Sequence, residues 1–148
     1  MSEHRATMEW KRSGEFRYEI YSRSHRVDFG AGVRLAGNAA RENIPRSVAP
    51  AAGADPEQLF VAALSSCHML WFLHFACQDE WIVECYVDEA VGVLDKTWIS
   101  KVTLRPAVSF SGRAPTPIEH AKLHEKAHEK CFVANSVKSE VSIEPRIA

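Results

Sequence analysis

The chain has 148 residues, 46% hydrophobic and 25% charged, which suits one globular domain over residues 1–148 with an ordinary core. A net charge of -1 supplies no basic footprint for nucleic acid and no polybasic patch for a membrane surface. The opening MSEHRATMEWKR lacks the apolar core of a signal peptide, so the expectation is a cytoplasmic protein whose four cysteines serve structure, catalysis or metal binding.

In chain order, ATMEW and EFRYEIYS alternate as two strands around Ser13-Gly14, the second with Phe16, Tyr18 and Ile20 on one face. Residues 27–36 add a short strand. GNAARENIPRSVAPAAGADP, with three prolines and two glycines, reads as a long loop, and loops of this length in small domains are commonly functional. A helix then starts with Asp55 as cap, Pro56 in its first turn and Glu57 at its positive end. From Leu59 to Cys77 it is apolar almost all round. That describes a helix enclosed on every side, with a subunit interface helping to cover it, and not a membrane span.

Two strands follow. In VECYVDEAVGV, Val83, Cys85, Val87, Val91 and Val93 share a face; in KVTLRPAVSF, Pro106 marks an edge or bulge. Thr116-Pro117-Ile118-Glu119 is a capping box opening a second helix that runs to about Cys131. SVKSEVSIEP closes the chain as a strand. The order of strands, helix, strands, helix and strand indicates an α+β fold.

Cys67 lies inside the apolar helix, after Ser65 and Ser66 and before His68. A thiol there is packing filler, a metal ligand or a nucleophile. An apolar setting raises its pKa, and it stands too far from the helix start for the dipole to act, so reactivity needs an arginine from elsewhere. Glu57, ten residues earlier, is about 15 Å away along a helix axis. Within one straight helix the two side chains cannot meet. Either the helix begins after Glu57 or a shared site spans two subunits.

Cys131 ends the second helix on a stripe with Leu123 and Ala127, as a packed thiol or as the partner of an oxidised Cys67. Cys77 and Cys85 read as core residues. His124-Glu125-Lys126-Ala127-His128 matches the H-E-x-x-H pattern of zinc proteases, with His120 one turn before and Cys131 after. No histidine follows His128, and a solvated amphipathic helix explains the same residues. Ser65 and Ser66 lack the glycines of a nucleophile elbow.

DPEQLFVAALSSCHM, followed by AHEKCFVANSV, resembles the OsmC/Ohr family of hydroperoxide-reducing proteins. The matching positions are Asp55, Pro56, Glu57, Cys67 and Cys131. The resemblance implies an OsmC-like fold, with antiparallel sheets around a central buried helix in an intertwined homodimer, and sites drawing residues from both subunits. It implies a cysteine-based peroxidase acting on organic hydroperoxides in oxidative-stress defence. Cys67 would become a sulfenic acid, Cys131 would condense with it, and an external thiol or lipoyl-type dithiol would reduce the disulfide, with no cofactor and no metal. An arginine, oriented by Glu57, would hold the thiolate and polarise the peroxide. Arg46, eleven residues before Glu57, resembles the loop arginine of the OsmC branch with a one-residue offset. Arg23, in YSRSHR, is nearer the Ohr position without that branch's glycines. His68 stands where both branches commonly have phenylalanine. The other class of function the same features allow is a redox-sensing or ligand-binding protein on this fold without significant turnover.

Overall fold

The computed structural model describes residues 1–49 and 51–148; Pro50, part of the expected long loop, lies outside the described residues. The chain forms two compact units, Met1–Leu59 and Phe60–Ala148. Strands β1 (Thr7–Glu9), β2 (His25–Asp28) and β3 (Arg34–Gly37) make an antiparallel sheet in the first unit. The expected strand over EFRYEIYS is absent. Residues 18–20 form a turn, and Phe16 packs on Trp10 and Tyr21 with centroids 5.5 and 4.9 Å apart. Alternation alone could not separate a pleated strand from a folded aromatic loop. The expected single strand over 27–36 is the hairpin of β2 and β3, turning through Gly30 and Gly32, both at positive φ.

The long loop returns to its starting strand. Asn38 donates its backbone N–H to the Ala54 carbonyl, and Ala54 donates to Ala36. Gly53 permits that approach, since a Cβ there would lie 2.8 Å from the Gly37 backbone. This closure delivers the chain to helix α1 (Pro56–Gln78). Asp55 Oδ1 accepts from the Gln58 N–H, and Gln58 Oε1 accepts from the Asp55 N–H. The helix start is thereby capped in both directions.

In the second unit, β4 (Ile82–Asp88), β7 (Pro106–Ser111) and β9 (Arg146–Ile147) form one sheet, and β5 (Val91–Asp95), β6 (Trp98–Leu104) and β8 (Glu140–Ile143) another. Both are mixed, because β7–β9 and β6–β8 are parallel, where antiparallel pairing was expected. VECYVDEAVGV is two strands in different sheets, and Pro106 begins a new strand in the other sheet, where its missing N–H is tolerated. A bulge between Val83 and Cys85 reverses the alternation. Tyr86 turns inward onto Phe72, with ring centroids 5.5 Å apart, and Cys85 turns out to solvent. Cys77 is exposed as well, one position off the buried stripe of α1, so neither of these cysteines is the core residue its sequence setting suggests.

Helix α2 (Pro117–Lys130) starts at the Thr116–Glu119 capping box and ends with Cys131 as C-cap. Its Leu123 and Ala127 pack with Phe72, Ala76, Trp81 and Val108 in one core cluster. Leu64, Val102 and Leu104 make the other. α1 is long and apolar enough to cross a membrane, yet most of it is not buried within the chain. The buried residues are the stripe Leu64, His68, Phe72 and Ala76, so the chain by itself covers one face of α1 and not all of them.

Candidate functional site

Cys67 and Cys131 are neighbouring free thiols in the second unit. Cys131 is 1% exposed; its backbone N–H donates to the His128 carbonyl, and its sulfur accepts from the Ala134 N–H at 3.4 Å. Burial pushes its pKa up to about 11; the Ala134 N–H opposes that rise and the adjacent Cys67 thiol adds to it. At neutral pH Cys131 is therefore a thiol and not a thiolate.

Cys67 is half-buried and opens onto an apolar cleft of about 340 Å³ lined by Leu70, Trp71, His74 and Phe132. Leu70, Trp71 and His74 follow Cys67 at helical spacings of three, four and seven residues, so one face of α1 gathers them. Trp71 meets His74 and Phe132 edge to face, each with centroids 5.4 Å away. This periodicity was readable from the sequence for the α1 residues. Phe132 had no comparable signal beyond following Cys131.

Around this pair the helix is pinned by polar contacts. Ser65 Oγ donates to Asp88 Oδ2 at 2.5 Å, and Asp88 Oδ1 accepts from the Arg105 N–H. His68 is hydrogen-bonded to His124, Nε2 to Nδ1 at 2.9 Å. The first histidine of the H-E-x-x-H segment thus does not lie on a solvated face: His124 is buried, as is His120 one turn before it, while His128 is half-buried. His124 stacks on Phe72, and His120 meets Phe72 and His124 edge to face. Among the described residues no three His, Cys, Asp or Glu side chains converge to hold a metal ion.

The first unit carries a second, polar cleft of about 260 Å³. It is lined by Arg23, His25, Asn38, Ala39, Ala40, Asn43, Pro56 and Glu57. Arg23 donates to the carbonyls of Tyr21 and Tyr18 at 2.6 and 2.8 Å, and its guanidinium lies 3.5 Å over the Tyr21 ring. His25 Nδ1–H donates to the Arg23 carbonyl, 2.9 Å away. Gly37 leaves room for that imidazole, since a Cβ at Gly37 would stand 2.2 Å from His25 Nε2. Glu57 has a buried carboxylate oxygen with no hydrogen-bond partner in the protein. Arg46 is exposed and lies outside the lining of this cleft. Because α1 begins at Pro56, Glu57 and Cys67 belong to one helix, and the option of a helix starting after Glu57 is closed.

The family model described as OsmC-like protein matches residues 49–146. An OsmC-like protein of unknown function from Vibrio cholerae is 45% identical in solved structure, covering 99% of this chain and 100% of its own, with a TM-score of 0.92. An organic hydroperoxide resistance protein OsmC from Legionella pneumophila is 20% identical, with 100% and 99% covered and a TM-score of 0.64. An organic hydroperoxide resistance protein of Bacillus subtilis is 18% identical, with 97% and 98% covered and a TM-score of 0.58. Among proteins of curated function none matches the chain. The last two structures speak to the fold alone, but the family match and the Vibrio relative extend to sequence, and they show that this chain belongs to the OsmC-like protein family.

Proposed function

We propose that this protein is a thiol-dependent peroxidase that reduces organic hydroperoxides. The observation that carries the reading is the thiol pair: a half-buried Cys67 at the floor of an apolar cleft, beside a buried Cys131 kept protonated. The Cys67 thiolate attacks the distal oxygen of ROOH, giving Cys67 sulfenic acid and RO⁻, which takes up a proton and leaves as ROH. Cys131 then attacks the sulfenic sulfur. Its proton leaves with the hydroxyl as water, and the Cys67–Cys131 disulfide remains. An external dithiol restores both thiols and is itself oxidised to a disulfide.

Thiolate formation and peroxide polarisation are assigned to an arginine steered by Glu57. Arg23 is the better candidate than Arg46, because it shares a cleft with Glu57 and its guanidinium is already oriented by two carbonyls. Ten residues of helix hold Glu57 about 15 Å from Cys67, so Arg23 and Glu57, lining one cleft, serve the thiol of a second copy in a homodimer. The apolar cleft favours hydroperoxides with hydrocarbon substituents over hydrogen peroxide.

The test is turnover. With dithiothreitol as reductant and cumene hydroperoxide in excess, the account expects many equivalents of peroxide consumed per chain, with none consumed by Cys67→Ser. Consumption stopping at one equivalent per chain despite reductant contradicts the enzyme reading and favours a redox sensor.

A further inference from the structure

Two buried imidazoles link the helices that carry the two thiols. His68 on α1 and His124 on α2 are 1% and 3% exposed, with His68 Nε2 2.9 Å from His124 Nδ1 and ring planes 2° apart. Among the described residues this is the one buried side-chain hydrogen bond between α1 and α2. The packing around it sets Phe72 against His120 and His124 and gathers Phe72, Ala76, Leu123 and Ala127 in one core cluster. Apolar burial is non-directional and tolerates sliding, whereas a hydrogen bond confines its two atoms to about 2.7–3.2 Å. The polar link is a directional constraint on the register of one helix on the other.

That register decides whether a disulfide is reachable. His68 directly follows Cys67, and His124 stands seven residues, about two turns, before Cys131. A disulfide requires Cβ atoms about 3.5–4.5 Å apart; a slide of even half a turn, about 2.7 Å, takes the thiols out of range. The pair also requires one imidazole to donate and the other to accept. Burial supplies this condition by lowering the pKa of His68 to about 4 and of His124 to about 3, so both rings are neutral near pH 7.

We propose that the His68–His124 hydrogen bond is a positioning device for disulfide formation, holding Cys131 within bonding reach of Cys67. It deepens the two-cysteine reading above and rests on it for its physiological use. It acts on the condensation step and not on the attack of Cys67 on peroxide.

The test equilibrates the purified protein with a glutathione redox buffer, in which protein dithiol and oxidised glutathione give protein disulfide and two reduced glutathiones. The ratio yields the effective molarity of Cys131 toward Cys67. His124→Leu and His68→Phe each remove the bond and are expected to lower that value at least tenfold. His124→Asn places an amide near the former Nδ1 and His68→Gln near the former Nε2; each is expected to stay within about threefold of wild type. With Cys131→Ser added to each so that nothing competes for the sulfenic acid, a dimedone trap after one equivalent of cumene hydroperoxide should label Cys67 in all four at the rate of Cys131→Ser alone.

An undiminished effective molarity in the Leu and Phe variants overturns the proposal. So does an equal fall in the Asn and Gln variants, which would mark a general packing effect. Urea unfolding verifies each variant, and the two positions give independent comparisons if one apolar variant does not fold. The glutathione equilibrium uses no peroxide. A wild type inert to cumene hydroperoxide would therefore contradict the peroxidase reading, while the contrast among variants would still decide the role of the histidine pair.

Discussion

Arg23, Glu57, Cys67 and Cys131 divide the proposed chemistry between charge and burial. Arg23→Ala should slow Cys67 oxidation by cumene hydroperoxide about 100-fold, the usual scale for losing a preorganised charge at a reacting oxygen. Arg23→Lys should not restore it, because an ammonium lacks the paired donors. Arg46→Ala should leave the rate within about twofold, as read by stopped-flow tryptophan fluorescence; the opposite ranking would return the role to Arg46. The buried histidines carry a separate consequence. His68 and His124 have folded pKa values lowered from 6.5 to about 4 and about 3, in each case chiefly by burial. Below pH 6.5 the unfolded chain binds protons that the folded chain refuses, so stability falls as pH drops from 6.5 toward 4. One such histidine corresponds to about 3 kcal/mol over that interval. Urea midpoints at pH 7 and 4.5 should show the loss, and His68→Phe should reduce it. An equal acid sensitivity in His68→Phe would mean that carboxylates dominate instead.

Elements with strong end signals are legible in the sequence. Asp55 and the Thr116–Glu119 capping box announce both helix starts, and both cap as the sequence suggests; Gln58, the reciprocal partner of Asp55, emerges only in the structure. Thr116→Ala should cost about 1 kcal/mol in urea unfolding; no change would mean that packing alone sets the start of α2. The strands were harder to read. Period-two alternation placed Cys85 in the core, but the bulge after Val83 reverses the pattern. Bulges depend on partner-strand register, which one strand's sequence does not carry. KVTLRPAVSF hid a change of sheet at Pro106 for the same reason, since pairing is a non-local property. Cys67, Cys131 and Glu57 were singled out through the resemblance of the segments around them; the structure sets the two thiols side by side and puts Glu57 in the separate polar cleft. The inward turn of His124 was not legible, because a lysine-rich helix with an H-E-x-x-H pattern reads equally as solvated or metal-binding until His68 is placed opposite it.

At the scale of the whole molecule, the family and its α+β fold are shown, while assembly is a proposal. Leu70, Ile82, Val87, Val91 and Ile118 are among the large apolar residues that a single chain leaves exposed. A helix as apolar as α1 with so little of its surface buried by its own chain fits coverage by a second copy. Light scattering after size exclusion should give twice the chain's 16.6 kDa; a monomer would leave Glu57 and Arg23 without a thiol to serve.

The central claim is that Cys67 is oxidised by peroxide and resolved by Cys131, and intact-mass analysis after one equivalent of cumene hydroperoxide tests it most directly. The account predicts a loss of two hydrogens in the reduced wild type, no change in Cys67→Ser, and a gain of one oxygen in Cys131→Ser. Wild-type thiols that survive the peroxide unchanged would contradict it.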